Sequence, residues 1–363
     1  MKLANSLKSI ELQKFLFIVI TWTILGALLS IYDHFLIVSH ITKGYHEDAF
    51  FLKTIITNTM AGFIGGIIGG YTLVYLVNKR FRSEPFYKGV IVVFIAFVLA
   101  ICIISLILAV LQALVLHGGL GNPEGMETFE SLIYTTEHIK NAIFWATIVA
   151  LTQLGLQIND KFGQGLLWSM MVGKYHLPKN EERIFMFLDL KGSTSIAEQL
   201  GNKRYHHFLK DLFSDITDPI LSNGGQIYQY VGDEVVISWP TANGIDENRC
   251  VQCFFDVQET LQELQDGYME KYQVAPSFKA GLHHGDVVAG EVGIIKRDIT
   301  YSGDTLNTAA RIQGMCNQHE SSLLVSGRLA NLMALQAFTI KNLGSLELRG
   351  KLESVEIIAV EKG

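Results

Sequence analysis

The 363-residue sequence has few cysteines and no excess of basic residues. Its four cysteines are too few and too scattered for a disulfide framework. Lysine and arginine total 29 against 35 aspartates and glutamates, which gives a formal net charge of -6. Because nucleic-acid binding depends on clustered basic residues, this balance excludes nucleic acid as an expected partner. Internal repeats and low-complexity tracts are also absent from the sequence.

Two of the cysteines, Cys250 and Cys253, have the C-x-x-C spacing found in zinc sites and redox motifs. They lie in NRCVQCFFDVQETLQEL, whose pattern predicts a helix, and no second pair of ligands is nearby in the sequence. We therefore interpret them as ordinary helix residues, with metal or redox chemistry as the alternative.

Hydrophobic residues make up 49% of the chain, and the mean hydropathy of +0.28 is too high for an ordinary soluble protein. The first half contains four apolar runs, each close to or above the length that crosses a bilayer as a helix. The first run is too long for a cleaved signal peptide. We predict a transmembrane domain over residues 1–158, with helices at about residues 15–32, 55–77, 89–116 and 142–158.

The charges between these runs predict their orientation. Lysines precede the first run, and basic residues lie between the second and third, whereas the connection from third to fourth is rich in glutamate. By the positive-inside rule the N-terminus is cytoplasmic, and an even number of crossings returns the chain to the cytoplasm. The expected location is a bacterial-type plasma (inner) membrane.

Glycines within the second run recur at four-residue intervals in GFIGGIIGG, at Gly62, Gly66 and Gly70. Such a surface lets another helix approach closely. Packing within one bundle and contact between two copies are both compatible with this pattern. Residues 159–180 then form a linker that could transmit a signal between the two halves.

Residues 181–363 have the pattern of a mixed α/β domain. RIFMFLDL is a strand, a helical stretch covers about residues 194–222, and QIYQYV and EVVISW form a hairpin through Gly232-Asp233. A second helix is predicted over about residues 248–271, and SFKAGLHHG and DVVAGEVGI are predicted to form another strand pair. This β-α-β-β-α-β succession is the ferredoxin-like order, which places the first strand beside the hairpin.

The order brings together two carboxylates, Asp189 at the end of the first strand and Asp233 in the hairpin turn. A pair of this kind can share divalent cations whose coordination is completed by phosphate oxygens. The backbone amides of Gly192, Ser193 and Thr194, at the start of a helix, would provide an anion site. A Gly-Asp turn alone is usually only a turn, so the pairing carries the functional interpretation.

Four motifs, FLDLKGST, YVGDEVVISW, GLHHGDVVAGEVG and YSGDTLNTAARI, follow one another in this part of the chain. Together they resemble the catalytic domain of class III nucleotidyl cyclases, the adenylate and guanylate cyclases, from about residue 182 onward. The implied fold class is α/β (α+β), a ferredoxin-like βαββαβ cyclase domain preceded by the four-helix transmembrane α domain.

The resemblance implies two Mg²⁺ or Mn²⁺ ions per active site, with Asp189 and Asp233 as ligands and the backbone of Leu190 as a further candidate. One ion would activate the ribose 3′-hydroxyl and the other would neutralise the triphosphate. Attack of the hydroxyl on the α-phosphorus would give a 3′,5′-cyclic nucleotide and pyrophosphate.

The resemblance also assigns cationic and polar groups. Asn307 falls where the family orients the ribose, and Arg311 where it stabilises charge on the α-phosphate. Arg349 matches a triphosphate-binding cation, and Lys351 is a second candidate. In the family, the aspartates and the Asn/Arg pair of one site come from different subunits, so a homodimer with two sites is expected.

Base selection in the family depends on two positions, which fall here on Gln229 and Thr300. Thr300 fits an adenylate-cyclase subgroup, but Gln229 replaces the expected lysine, and its amide could serve adenine or guanine. We favour ATP, and expect a membrane-anchored adenylate cyclase that its membrane domain can regulate. The alternatives are a guanylate cyclase and a catalytically silent membrane receptor. A transporter is disfavoured because Asp33 and His34 are the only intramembrane charge candidates.

Overall fold

The computed structural model describes residues 3–40, 47–77, 86–133, 136–162, 169, 172–295, 297–347 and 354–363. The chain divides into two compact units. One unit is Ser9–Phe162, and the other comprises Met1–Lys8 and Gly163–Gly363.

The first unit is helical, and each of the four predicted apolar runs lies on a helix. The helices are α1 (Leu3–His40), α2 (Glu47–Tyr71, continued by π-helical turns over Thr72–Val77), α3 (Phe86–His117), α4 (Pro123–Ile133) and α5 (Thr136–Phe162).

Three segments in this unit are long and apolar enough to cross a membrane: Glu11–Phe35, Asn58–Val77 and Ile139–Asn159. The apolar segment found on α3, Tyr87–Ile103, is shorter than the roughly 20 residues that a bilayer requires. Within the described residues, the count of four spans is therefore not confirmed, although helix α3 itself extends over 32 residues from Phe86 to His117.

Trp22 on α1 is the centre of the helical core. Its side chain is buried, with the ring centroid 6.0 Å from that of Phe97 on α3 and 5.9 Å from that of Trp145 on α5. The indole N–H donates to Thr152 Oγ1 at 3.1 Å. Trp22 thus ties three helices together by ring packing and a hydrogen bond.

The glycines of α2 lie against α1 within the same chain. A Cβ atom on Gly62 would lie 2.3 Å from the carbonyl oxygen of Trp22, and one on Gly66 would lie 2.9 Å from Val19 Cα. Both glycines are therefore needed for the close approach of the two helices. Of the two alternatives for the glycine pattern, the structure shows packing within one bundle.

Two polar groups of this unit differ in their surroundings. Asp33 on α1 forms an ion pair with Lys140 on α5, with 2.7 Å between Oδ1 and Nζ. Gln153 on α5 is fully buried, and among the described residues neither atom of its amide has a hydrogen-bond partner.

The second unit is built on one mixed sheet with strand order β2-β3-β1-β4-β6-β8-β7 and β5 paired with β4. The strands are β1 (Lys179–Leu190), β2 (Gln226–Val231), β3 (Glu234–Pro240), β4 (Phe278–Val292), β5 (Asp298–Ser302), β6 (Leu323–Ser326), β7 (Phe338–Leu346) and β8 (Val355–Lys362). The helices are α6 (Ser193–Asp215), α7 (Thr217–Ser222), α8 (Thr241–Ile245), α9 (Arg249–Glu263), α10 (Gln265–Tyr272), α11 (Asp304–Gly314) and α12 (Gly327–Ala330).

The predicted β-α-β-β-α-β order is confirmed, and β1 lies between β3 and β4, antiparallel to both. Strand β1 contains consecutive apolar residues because both of its faces are buried. Ile184 and Leu188 face the core that includes Phe208 of α6, whereas Phe185 faces a smaller cluster with Ala309 of α11. This alternation follows from the two-residue period of a strand.

The prediction of a strand pair at SFKAGLHHG and DVVAGEVGI is wrong. Both segments belong to the single strand β4, which pairs with β1 without interruption from Lys179↔Ala289 to Leu190↔Phe278. The hairpin partner of β4 is β5. Gly285 serves close packing here rather than a turn, because a Cβ at this position would lie 2.6 Å from Thr305 Oγ1 on α11.

Candidate active site

Asp189 is the penultimate residue of β1, where the sheet register sets its neighbours. It lies opposite Glu234 of β3 and Lys279 of β4. Lys279 Nζ lies 3.1 Å from Asp189 Oδ2, and Gln313 Nε2 of α11 donates a hydrogen bond to the same oxygen at 2.9 Å. Two groups therefore orient this carboxylate.

Asp233 lies in the two-residue turn that joins β2 to β3, as predicted. Gly232 before it has φ 64°, a left-handed conformation that glycine adopts without steric cost. Glu234, directly after Asp233, is the cross-strand partner of Asp189. The structure thus brings Asp189 and Asp233 into one neighbourhood although 43 residues separate them in the sequence.

Three acidic side chains, those of Asp189, Asp233 and Glu234, determine the electrostatics of this part of the site. Burial raises the pKa of Asp189, and the charge of Asp233 raises it further, whereas Lys279 opposes the shift. Burial, followed by the charges of Asp189 and Asp233, raises the pKa of Glu234 to about 7. Burial and the same two aspartates also raise the pKa of Tyr205 on α6. A cation placed here would relieve this repulsion.

The segment after β1 has the geometry of an anion-binding helix start. Gly192 has φ 69° and ψ 22°, and α6 begins at Ser193 with no side-chain cap, one residue earlier than predicted. Gly192 accepts a backbone hydrogen bond from Ile196 at 3.1 Å. The amide N–H groups of the first turn, including that of Thr194, have no carbonyl four residues earlier within the helix and are suited to phosphate oxygens.

Helix α11 packs closely on β4 because the β4 residue at the contact, Gly281, has no side chain. A Cβ atom on Gly281 would lie 2.2 Å from the backbone nitrogen of Gln313 and 2.6 Å from the carbonyl oxygen of Ala309. Ala309 and Gln313 are buried in this contact. The close approach is what brings the side chain of Gln313 to Asp189.

Asn307 and Arg311 lie on α11 one helical turn apart, as the sequence predicted. Asn307 is exposed and Arg311 is half-buried. Within the described part of one chain, no hydrogen bond or ion pair links either residue to Asp189 or Asp233. The predicted phosphate ligands Arg349 and Lys351 lie outside the described residues.

The two predicted base-selecting residues lie on different strands. Gln229 is exposed on β2, where it pairs with Val236 of β3. Thr300 is half-buried on β5, where it pairs with Gly290 of β4. Strands β2 and β5 are not neighbours in the sheet.

The C-x-x-C pair lies inside helix α9, and both thiols are buried. Burial raises the pKa of Cys250 to about 12 and that of Cys253 well above its ordinary value. Both therefore stay protonated and pack as apolar helix residues. This agrees with the interpretation drawn from the sequence.

Three residues of the site were not identified from the sequence: Glu234, Lys279 and Gln313. The position of Glu234 next to Asp233 in the hairpin could have indicated it. The roles of Lys279 and Gln313 depend on strand register and on helix packing, which local sequence patterns do not reveal.

The donor set of the site suits a hard cation. The carboxylates of Asp189 and Asp233 are oxygen donors of the kind that hard cations prefer, and their charges make a third negative charge, that of Glu234, less favourable. In the part of the chain that the structure describes, no group of three or more His, Cys, Asp and Glu side chains could hold a metal ion. Magnesium bound through one or two carboxylates ordinarily completes its coordination with water and substrate phosphate oxygens.

Comparison with known proteins establishes the family. Residues 177–360, just over half of the chain, match the adenylate and guanylate cyclase catalytic domain. The chain belongs to this family of class III nucleotidyl cyclases. The matched range contains strands β1 to β7, most of β8, helix α11 and each candidate site residue from Asp189 to Lys351.

Two relatives and one solved structure illustrate the likeness. Adenylate cyclase 2 of Rhizobium meliloti (strain 1021) is 36% identical over 209 residues, which cover 57% of this chain and 58% of the relative. An adenylate cyclase of Anabaena cylindrica is 27% identical over 187 residues, covering 48% of this chain and 36% of the relative. The chain therefore spans less than two thirds of either relative.

The solved structure is of a bacterial light-regulated adenylyl cyclase, with a TM-score of 0.53 and 21% identity. The match covers 62% of this chain and 65% of the other. At this identity the likeness supports the fold.

Proposed function

We propose that this protein is a membrane-anchored adenylate cyclase that converts ATP to 3′,5′-cyclic AMP and pyrophosphate. The observation that carries the proposal is the pair Asp189 and Asp233, placed together at the end of β1 in a chain of the cyclase family. Adenylate cyclases are among the relatives of this chain, which supports ATP rather than GTP as its substrate.

The chain's own residues have distinct tasks in this proposal. Asp189 and Asp233 hold two Mg²⁺ or Mn²⁺ ions, with the Leu190 backbone as a further candidate ligand. Bound ions would supply activation of the 3′-hydroxyl and neutralisation of the triphosphate. The amides of Gly192, Ser193 and Thr194 bind phosphate oxygens, as Arg349 and Lys351 are predicted to do.

A complete site requires two copies of the chain. Asn307 orients the ribose, and Arg311 stabilises the charge that develops on the α-phosphate. Their use in the site of a second copy is supported by the family to which the chain belongs, in which the aspartates and the Asn/Arg pair of one site come from different subunits. A symmetric homodimer would then contain two active sites.

The helical unit anchors the enzyme in this proposal. Three helices long and apolar enough to span a bilayer support membrane anchoring. The charges between the apolar runs favour a cytoplasmic N-terminus and a cytoplasmic catalytic unit, an arrangement that requires a fourth crossing, which we assign to the 32-residue helix α3. The linker of residues 159–180 would connect anchor and enzyme, so that events in the membrane can influence catalysis.

GTP is the second candidate substrate, because Gln229 stands where a lysine is expected for adenine. The side-chain amide of Gln229 has both a donor and an acceptor and can pair with either purine. Guanylate cyclases also belong to the matched family.

The test uses the full-length chain in detergent or nanodiscs with Mn²⁺ and either ATP or GTP, and products are separated by chromatography. Cyclic AMP from ATP, lost in Asp233→Asn, is the expected result. Cyclic GMP as the main product would overturn the choice of substrate. Full activity in Asp233→Asn would contradict the assignment of the aspartates.

A further inference from the structure

Two tyrosines next to the proposed base-contacting residues touch each other. Tyr228 directly precedes Gln229, and Tyr301 directly follows Thr300. Their ring centroids lie 5.1 Å apart, and the backbone N–H of Tyr301 donates to Tyr228 Oη at 3.4 Å. Because β3, β1 and β4 separate β2 from β5 in the sheet, this contact joins two strands that no ladder connects.

A β-bulge in β2 positions Tyr228 for its contact with Tyr301. The pairing of β2 with β3 shifts between Ile227 and Gln229, which leaves Tyr228 as the extra residue. Bulges re-aim side chains in this way. The ring of Phe185 in β1 supports both tyrosines, with its centroid 6.5 Å from that of Tyr228 and 5.4 Å from that of Tyr301.

Arg183 of β1 also contacts both β2 and β5. Its guanidinium carbon lies 4.6 Å from the centroid of the Tyr301 ring. The same group donates to Gln226 Oε1 of β2 at 2.9 Å and to Ser238 Oγ of β3 at 3.0 Å. A planar guanidinium can stack and donate at once, which a lysine cannot do.

The position of Arg183 is itself closely determined. Its Nε donates to Glu181 Oε2 at 2.7 Å, and the Tyr175 hydroxyl donates to Glu181 Oε1 at 3.0 Å. The Arg183 side chain is 4% exposed, so its charge is compensated by partners rather than by water. Groups held in this way keep a defined geometry because movement would leave a buried charge unpaired.

We propose that Arg183, Tyr228 and Tyr301 are positioning residues that set the separation of Gln229 and Thr300, and thereby the choice between ATP and GTP. The inference rests on the proposed function, which assigns the base contacts to Gln229 and Thr300. The three residues act through the strands that carry those contacts. Because hydrogen bonds depend steeply on distance and angle, a small shift between the two strands changes how well each purine edge is matched.

The test compares kcat/KM for ATP and for GTP in the full-length chain with Mn²⁺. Tyr228→Phe removes the hydroxyl and keeps the ring, so the ATP:GTP ratio is expected to change about fivefold, the worth of one hydrogen bond. Tyr301→Leu and Arg183→Met are expected to change the ratio at least as much. Tyr301→Phe keeps the ring and should retain the wild-type ratio.

Arg249→Met is the matched control, because Arg249 forms an exposed ion pair with Asp246 on the surface of α9. It should leave the ratio unchanged. Thermal midpoints of all variants are measured in parallel, since a loss of stability lowers activity towards both nucleotides and leaves their ratio intact.

The outcomes separate the inference from the proposed function. An unchanged ratio in Tyr228→Phe and Tyr301→Leu, together with an altered ratio in Gln229→Lys, overturns the inference alone. An unchanged ratio in Gln229→Lys and Thr300→Ala overturns the assignment of the base contacts. If the wild-type chain makes no cyclic nucleotide, the proposed function fails. The same variants are then compared by competition of ATP and GTP against a fluorescent ATP analogue, where unchanged ratios overturn the inference.

Discussion

Gln313 Nε2 donates a 2.9 Å hydrogen bond to Asp189 Oδ2. Gln313 lies two residues after Arg311 on α11, whereas Asp189 is near the end of β1. One helix therefore orients a proposed metal-binding carboxylate of its own chain and also carries the pair Asn307 and Arg311. In the proposed homodimer, α11 would contribute to both active sites.

Removal of this hydrogen bond should weaken metal binding. Gln313→Leu leaves Asp189 oriented by Lys279 alone, so the Mn²⁺ concentration for half-maximal activity is expected to rise about fivefold, as for one lost hydrogen bond. Titration of Mn²⁺ at saturating ATP measures the effect. The exposed Gln318→Leu serves as control, and equal Mn²⁺ curves for the two variants would disprove the role of Gln313.

Glu234 should make the catalytic unit less stable as the pH rises. Its pKa is raised from 4.5 to about 7 by burial and by the two aspartates. In the unfolded chain the Glu234 carboxyl loses its proton near its ordinary pKa, whereas in the folded chain it keeps the proton to higher pH. Raising the pH from about 4.5 to about 7 therefore lowers the free energy of unfolding by the contribution of this group.

Glu234→Gln removes this loss, and in the presence of EDTA its thermal midpoint at pH 8 is expected to exceed that of the wild type. The gain, discounted for partial solvent screening, is about 1 kcal/mol, or about 2–4 °C. At pH 4.5 the two midpoints should agree. Glu263→Gln, an exposed change on α9, should show no pH-dependent difference. A wild type that is more stable than Glu234→Gln at pH 8 would refute the shift.

Gly281→Ala should disrupt the contact of α11 with β4. The added Cβ would meet backbone atoms of Gln313 and Ala309 at 2.2 and 2.6 Å, which cannot move away as a flexible side chain could. We expect a loss of about 1–3 kcal/mol in unfolding free energy and a larger proportional loss of activity.

Gly267→Ala is the matched control, because a Cβ on this glycine of α10 would meet nothing within 4 Å. It should be neutral or slightly stabilising in a helix. Equal thermal midpoints for the two alanine variants would show that the packing of α11 does not require Gly281.

Gln153→Leu should stabilise the helical unit. Among the described residues the buried amide of Gln153 has no partner, and an unpaired polar group in an apolar interior costs about 1–3 kcal/mol. Leucine has a similar volume and no such cost. The thermal midpoint in detergent is the measurement. Gln157→Leu on the less buried next turn should give a smaller gain, because among the described residues only the amide oxygen of Gln157 is buried without a partner. A lower midpoint in Gln153→Leu would indicate that the amide has a partner in the membrane.

The sequence predicted the parts of the site that depend on strand order. The adjacency of Asp189 and Asp233 follows from β1 lying beside the hairpin. Helical periodicity predicts that Asn307 and Arg311 share a helix face, whereas their assignment to the site came from the resemblance to the family. The contact of Gln313 with Asp189 could not be predicted, because it depends on how closely α11 approaches β4 over Gly281. The unbroken strand β4 was missed for a similar reason, since Gly285 looks like a turn residue until its packing partner is known.

The helical unit shows the same limit of prediction from the sequence. Its glycine pattern predicted a close helix contact, but the choice between a neighbouring helix and a second copy required the position of Trp22. Helix α3 was predicted as a span from its apolar run, and this span stays a prediction, because the apolar segment identified among the described residues, Tyr87–Ile103, covers only part of the 32-residue helix.

The central claim is that the aspartates of one chain act with Asn307 and Arg311 of another. Co-expression of Asp233→Asn and Arg311→Ala chains tests it most directly, with cyclic AMP measured in membranes. Each variant alone should be inactive. Random pairing should restore about a quarter of the wild-type activity, because half of the dimers then contain one intact site of two. Absence of recovery, with mixed dimers demonstrated by differential tags, would contradict the shared site.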